Sequence, residues 1–579
     1  MSKEGRRHTI FVFDGRVGAA TESKEHLTDI PLHKAWSAKS ESESVQLHDG
    51  NAGLVVGTSQ LYDEYNQRRY IPTPTPDPND PLNLRPWRKW AAVASLCFFG
   101  ALALAAEAII AALVPVFALE YAGINPQVLS VIDLSQLQPE GAVDVNPLRS
   151  LSALGGPPLY RVALLSSLPL LVNGLASYLL VPLSIAVGRR PVLLFAGAAA
   201  WVGGLWGGLS TSLESHLAAR CLQGLGAGAV EALIPLIVQD MMFIHERNRA
   251  IACIGASQGL IIVGLGIASP LLVVRLSWRY IYYITTAAAA LAFLLTVLLV
   301  PETRWTRSPD ELAGKAVYPL EPGETRPRLD VKTYGLRTRA TDFGVFRHVP
   351  RQWRLAGVSV YHTARSTLFP IVLWVIVVNS ILVSLQGAAG QVGSAVLIAA
   401  GWKFETMGFA VVPLVVASPF VWFFAGWVAD RVSNGYAKRN GGRREPEAHL
   451  LSLAVPLLAA IVGSAVFGYA GENIKTVPSI VLLVGVFLVG FGFLAANTLF
   501  SVYVVESYPS IAGPVLVNVS SFRLIIGFTM SFNATTWVEQ LGFQRSFGFY
   551  SLALAVASLG LPVVFAFGKR LRAWTALRI

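Results

Sequence analysis

Val181-Pro-Leu-Ser-Ile-Ala-Val-Gly-Arg-Arg-Pro-Val-Leu193 decides the fold of this chain. The stretch joins two strongly apolar runs, and a glycine and two arginines crowd into a connection too short to hold a domain. Two apolar spans joined this tightly form an antiparallel helical hairpin, with Arg189 and Arg190 held at one membrane face. The second half carries an echo, Gly426-Trp-Val-Ala-Asp430-Arg431, in which Asp430 occupies the place that Ile185 fills in the first copy. Two copies of one hairpin turn in a polytopic chain are the plan of a carrier built from repeated halves.

Composition supports the class. The chain has 579 residues, 53% hydrophobic and 14% charged, with a mean hydropathy of +0.53. Soluble domains carry about 25% charged residues. Low charge with many apolar runs near 20 residues predicts a multi-span membrane protein. The net charge of +11 does not predict nucleic-acid binding, because the basic residues sit at span ends and in one loop, as positive-inside topology requires. Cys97, Cys221 and Cys253 fall in apolar spans and read as packing residues, with no disulfide framework and no metal site.

Apolar stretches lie near 90–118, 160–186, 191–210, 216–239, 251–273 and 280–300, and again near 368–390, 407–429, 450–469, 478–502, 510–532 and 547–568. The predicted organisation is a disordered cytoplasmic arm over 1–86, a six-helix bundle over 87–301, a basic cytoplasmic linker over 302–366, a second six-helix bundle over 367–570 and a cytoplasmic tail over 571–579. The arm is polar and lacks a signal-peptide apolar core after Met1. It ends in Asp77-Pro-Asn-Asp-Pro-Leu-Asn-Leu-Arg-Pro-Trp-Arg-Lys-Trp90, where the prolines stop a helix and Trp87 to Trp90 anchor a span entrance. The even-to-odd connections hold Arg189, Arg190, Arg247, Arg249, Arg431, Lys438, Arg439, Arg443 and Arg444, and the linker holds a dozen Lys or Arg. That asymmetry predicts both termini in the cytoplasm. The loop over 121–159 is long and apolar enough for partial order. The sequon at Asn533 lies close to the membrane, and the one at Asn518 falls inside a span.

The ordered motifs resemble the major facilitator superfamily, in its fungal-type drug/proton-antiporter-like branch with twelve spans. The resemblance covers about 77–575. Pro182, Leu183, Ser184, Gly188, Arg189, Arg190 and Pro191 match the branch's loop between spans 2 and 3, and Arg220-Cys-Leu-Gln-Gly224-Leu-Gly226-Ala-Gly228 is similar to its Arg-x-x-Gln-Gly pattern on span 4. Asp240 and His245-Glu-Arg-Asn-Arg249 follow, then Ser277-Trp-Arg-Tyr280, Pro301-Glu-Thr-Arg304, Arg443-Arg-Glu-Pro-Glu447 and Tyr503-Val-Val-Glu-Ser-Tyr-Pro509. The chain departs where the family loop carries an acid, here Ile185, and a glycine, here Val181. It only approximates the span-5 antiporter turn, through Gly255, Gly259, Gly264, Gly266 and Pro270. The resemblance implies an all-α fold of two pseudo-symmetric six-helix bundles.

Glu107 is the first candidate for function, because it sits near the middle of span 1. A carboxylate there costs at least roughly 2.5–3.5 kcal/mol, so it faces a cavity or a partner. It would carry a proton or bind a cation; a protonated structural Glu bonded to a neighbouring helix is the alternative. Glu231 lies about 16 Å along span 4 from Arg220, too far to pair, and needs its own partner or a cavity. The family implies a gating or proton-relay role for Arg220, with Gln223 one turn below; the alternative is a snorkelling anchor. Asp240 with Arg189 or Arg190 would latch the first half, and Asp430 with Arg431 the second. Gly188 and Gly426 complete the gate motifs. Asn173, Gln258, Asn379, Gln386, Asn497, Asn518 and Arg523 are the other polar residues in or near spans, serving either a cavity or helix contacts. Nothing reads as catalytic: there is no phosphate-binding loop, no His-Glu-x-x-His and no nucleophile elbow.

The expected function is secondary active transport by alternating access, proton-coupled, exporting a drug or secondary metabolite from the plasma membrane, with the vacuolar membrane as alternative. Import of an organic cation or polyamine is the rival, and a non-transporting nutrient receptor the lesser one. Small organic substrate, protons and lipid are the expected partners of a monomer that needs no cofactor.

Overall fold

In hydrocarbon a backbone N–H or C=O must find its partner within its own segment, so apolar runs of this length have to be helices. The computed structural model describes residues 70–127, 156–312, 317–319, 326–344, 352–439, 445–508 and 511–576. Among these, twelve helical spans are long and apolar enough to cross a membrane. The first half holds Pro86–Ala112 (span 1), Leu159–Val187 (span 2), Arg189–Leu209 (span 3), Leu213–Met241 (span 4), Arg249–Arg275 (span 5) and Trp278–Leu299 (span 6). The second holds Pro370–Ala399 (span 7), Phe404–Tyr436 (span 8), Pro446–Glu472 (span 9), Ser479–Ser507 (span 10), Ala512–Leu541 (span 11) and Phe543–Thr575 (span 12). Spans 8 and 12 run further than their apolar windows suggested, because their polar last turns stay helical.

Prolines place the breaks. Span 1 stops at Leu113 (φ −98°, ψ 6°), and Pro115 sits in the first turn of the continuation Val114–Tyr121. Span 4 breaks at Ala232 (φ −121°, ψ −44°), directly after Glu231. Pro235 has no N–H to give the Glu231 carbonyl, so the ladder is interrupted there. Span 8 winds as a 3₁₀-helix, an α-helix and then a π-helix over Trp422–Val428 before its last α-helical segment. Small residues set the helix contacts. A Cβ on Gly224 would lie 2.6 Å from the Pro169 carbonyl oxygen of span 2, and one on Gly226 equally close to the Ala196 carbonyl of span 3. Both therefore serve close packing.

The two halves meet along two seams. On the first, a Cβ on Gly174 of span 2 would approach the Ser521 oxygen of span 11 to 2.9 Å. Further along, the Tyr178 hydroxyl donates to Asn518 Oδ1, and Asn518 Nδ2 donates to the Thr363 carbonyl and Ser366 Oγ of the linker helix Trp353–Ser366. The Asn518 sequon is thus buried within a span, as expected. The second seam is closed at one end only. Gly266 of span 5 packs on Val411, and Gly408 of span 8 abuts the Ile267 backbone, whereas Gly255 and Gly426 at the other end of these spans meet nothing within 4 Å. That open end is the one bearing Arg189 and Asp240, here termed the basic end.

Two expectations need correction. The arm taken as disordered to residue 86 is structured from Tyr70 onward, because its prolines and Asp80 find partners on the linker: Thr73 N donates to the Glu311 carbonyl at 2.9 Å and Arg307 Nη2 reaches Asp80 Oδ1 at 2.6 Å. Residues 571–576 are not a separate tail either; the last helix continues to Ala576, pinned by the buried Arg572. Residues 1–69 and most of the loop over 121–159 lie outside the described residues.

Candidate functional site

Glu107 is 4% exposed, on the stretch of span 1 that precedes the break at Leu113. Its Oε2 accepts from Asn173 Nδ2 of span 2 at 3.2 Å, and its Oε1 has no hydrogen-bond partner among the described residues. Arg220 does not snorkel. It is completely buried, with Nε donating to the Leu165 carbonyl at 3.0 Å and Nη1 to the Ala106 carbonyl at 2.9 Å. Gln223, one turn below it, accepts from Nη1 at 2.5 Å. A guanidinium wired into the carbonyls of spans 1 and 2, with Nη2 unpaired among the described residues, joins the helices that carry Glu107 and Asn173. Beside Gln223 lies a narrow crevice between spans 1, 3, 4 and 6, lined also by Phe99, Ala106, Gly204, Thr285 and Thr286.

Glu231 obtains the partner its position demanded, and that partner comes from the other half. Arg523 of span 11 ion-pairs to it through Nη2 and donates through Nη1 to Asn497 Oδ1 of span 10. Asn379 of span 7 donates to the same Asn497 oxygen at 3.2 Å. The break after Glu231 lets span 4 present this carboxylate across the interface. Arg523 Nε and Asn379 Oδ1 are buried without hydrogen-bond partners among the described residues. Gln258 lies outside this network, over Gly100 of span 1. Tyr503 and Trp374 are packing residues: Tyr503 is fully buried and Trp374 Nε1 donates to the Ala557 carbonyl at 3.0 Å.

At the basic end Arg189, and not Arg190, reaches Asp240, with Nε 3.2 Å from Oδ2. Its Nη1 also donates to Ser184 Oγ at 2.7 Å. Arg190 turns to the Val297 and Val300 carbonyls of span 6. Glu302, after span 6, accepts from the backbone nitrogens of Arg189 and Arg190 at 2.9 and 3.2 Å, and so caps the first turn of span 3 with a negative charge. Arg247, in the connection after span 4, is pulled down to about 10 by burial, opposed by Asp240; it stays a cation at neutral pH.

The expected second-half latch is absent. Asp430 is exposed with no ion pair among the described residues, and Arg431 lies over the Trp427 ring, 4.6 Å from its centroid. Adjacent residues on a helix point in different directions, so an i,i+1 pair cannot close on itself. In the second half, Arg572 at the end of span 12 pairs instead with Glu447 at the start of span 9, at 2.8 and 2.7 Å. Lys569 joins Glu445 beside it at 2.8 Å. The two halves thus use matching places with opposite polarity. In the first, the end of span 6 supplies the acid; in the second, the end of span 12 supplies the base. In the sequence Glu302 and Glu447 fall within motifs and Arg523 is one of several polar residues in spans, with nothing to assign any of them a partner. The signal for Arg523 was available, as a lone arginine within an apolar run.

A model of the Major Facilitator Superfamily matches residues 96–517. The chain belongs to this superfamily. Among its relatives is an uncharacterised MFS-type transporter of Schizosaccharomyces pombe, 22% identical over 461 residues, covering 70% of this chain and 76% of that one. A multidrug transporter of Candida glabrata is 24% identical over 421 residues, 68% of this chain and 66% of the relative. Among solved structures, the xylose transporter XylE from E. coli, in a partially occluded inward-open conformation, matches with a TM-score of 0.54 at 14% identity, over 82% of this chain and 97% of that one. At that identity the likeness concerns the fold alone. The superfamily member described here is a multi-pass membrane transporter, not an enzyme.

Proposed function

We propose that the chain is a proton-coupled exporter of small organic compounds, acting as a monomer in the plasma membrane with both termini cytoplasmic. Glu107 carries the proton, and substrate binds between the halves, where Glu231, Arg523, Asn497 and Asn379 converge. The observation that carries this reading is the buried, half-satisfied Glu107 carboxyl, with one oxygen on Asn173 and the other without a hydrogen-bond partner among the described residues. A membrane-buried carboxyl of this kind is neutral when protonated, and exposure to either side in alternating access lets it exchange its proton. Arg220, fixed on span 4, supplies the positive charge that favours release. Asp240, Arg189 and Gly188 belong to the gate and not to the substrate site.

The multidrug relative supports a small organic substrate. Import of an organic cation or polyamine is less well supported, because the Glu231 carboxylate that would recognise it is held by Arg523. The test is flux of small organic dyes in proteoliposomes under an imposed pH gradient. Glu107→Gln is expected to abolish the gradient-driven component while leaving exchange at equal pH. Gradient-driven flux that persists unchanged in the variant rules out Glu107 as the proton carrier.

A further inference from the structure

We propose that the proline-rich segment Tyr70–Asn83 is a clasp that shortens the tether between the two halves, with Asp80 as its positioning residue. The segment holds five prolines, Pro72, Pro74, Pro76, Pro78 and Pro81, which fix φ and leave little chain entropy to lose on docking. Asn83 folds it back on itself, donating through Nδ2 to the Thr75 and Asp77 carbonyls at 2.8 and 2.9 Å. Asp80 is 0% exposed. Its Oδ1 accepts from Leu82 N at 2.9 Å and Arg307 Nη2 at 2.6 Å. Its Oδ2 accepts from Thr75 N and Thr75 Oγ1, both at 2.9 Å, and from Arg307 Nη1 at 3.1 Å. A carboxylate with five donors, two of them from one bidentate arginine, is fully compensated for its burial.

The same segment holds the linker at further points. Thr73 N donates to the Glu311 carbonyl at 2.9 Å, and Asp330 N to the Pro76 carbonyl at 3.0 Å. Arg337 Nη1 donates to the Pro78 and Asp80 carbonyls at 3.2 Å each. Arg337 Nε then reaches Asp342 at 2.6 Å, and Asp342 also pairs with Arg88 at the start of span 1, at 2.8 Å. The Asp342 carbonyl accepts from Glu302 N at 2.8 Å, and Glu302 is the residue that caps span 3. A continuous path of bonds therefore runs from the clasp, through the linker, to the first-half gate.

The linker is the covalent connection between the halves. Docked by the clasp, Arg307, Glu311, Asp330, Arg337 and Asp342 are held on the first half, and the linker meets that half again where Gln352 N donates to the Ala186 carbonyl at 3.2 Å. With that contact and the clasp released, the 36 residues from Arg307 to Asp342 would add a contour of up to roughly 120 Å, at about 3.4 Å per extended residue. The clasp acts at the basic end, where spans 5 and 8 part at Gly255 and Gly426, so it limits how far that end opens. This inference needs only the two halves of the fold; it does not depend on the coupling ion or the direction of transport.

The test is a spin-label distance between Arg249→Cys and Asn434→Cys, exposed positions at the basic ends of spans 5 and 8. The full chain is used in lipid nanodiscs, with Cys97, Cys221 and Cys253 replaced by alanine. Asp80→Asn and Arg307→Gln are each expected to shift the ratio of long to short distances about fivefold or more toward the long. The double variant is expected to shift it no further than either single, because both remove one interaction. Thr75→Val, which removes one donor and no charge, gives a smaller shift in the same direction and serves where the charged variants fail to fold. Distances unchanged in folded variants, or shifts that add in the double, overturn the clasp.

Discussion

Arg523 is the residue on which the two halves agree at midspan. It ion-pairs with Glu231 of the first half and binds Asn497 of the second, so neither half satisfies its polar groups alone. Arg523→Gln leaves Glu231 without its cation. The expected loss is about 1–2 kcal/mol, the low end for stranding a charge, since the Glu231 side chain is 21% exposed. Glu231→Gln together with Arg523→Gln should recover most of that loss, and thermal unfolding in detergent micelles reads both. Equal melting of all three proteins would mean that the pair contributes nothing to the fold. Sequence showed that Glu231 needed a partner and that Arg220 was too far away. It did not show which partner, because Arg523 is almost three hundred residues further along the chain and only the docking of the halves brings it near.

At the scale of elements, the hairpin between spans 2 and 3 is built around Gly188. Its backbone (φ 133°, ψ 156°) lies in a region that side chains disfavour, and an added Cβ would stand 2.5 Å from Glu302 Oε2. The turn and its carboxylate cap occupy the same space, so Gly188→Ala has to break one of them. We expect a loss of roughly 1–3 kcal/mol in thermal unfolding, the cost of a strained backbone position. A variant that melts with the wild type would show that the loop relaxes at no cost. The Gly-Arg-Arg turn was legible in sequence as a hairpin with charge at one face. The acid it works with was sought at position 185 and is instead supplied in part from beyond span 6. Asp430 and Arg431 do not pair for a local reason, the helical divergence of neighbouring side chains, while Glu447 and Arg572 do because spans 9 and 12 bring them together.

At the scale of the whole molecule, spans 5 and 8 are closed at one end and open at the other. The ideal Cβ of Gly266 lies 3.6 Å from Val411 Cβ, within the roughly 3.5–4.5 Å that a disulfide requires. Gly266→Cys with Val411→Cys, in a chain freed of its native cysteines, is expected to cross-link on mild oxidation and to stop flux in proteoliposomes. A reductant should restore it. Full cross-linking with undiminished flux would show that this end stays shut throughout the cycle, contrary to alternating access.

The sequence by itself determined the class, the twelve spans, the two-half plan and the residues that have to be explained. A bilayer leaves a 20-residue apolar run no choice but a helix, and a lone charge within one no choice but to seek a partner. Only the tertiary structure decided who those partners are: Asn173 for Glu107, Arg523 for Glu231, Arg189 for Asp240, Glu447 for Arg572 and Arg307 for Asp80. Each of these pairs joins separate helices or a helix end to a loop. Hydropathy fixes where a helix lies and leaves open which of its faces meets which neighbour. That choice is made by small residues, proline breaks and charge complementarity acting together once the spans have packed.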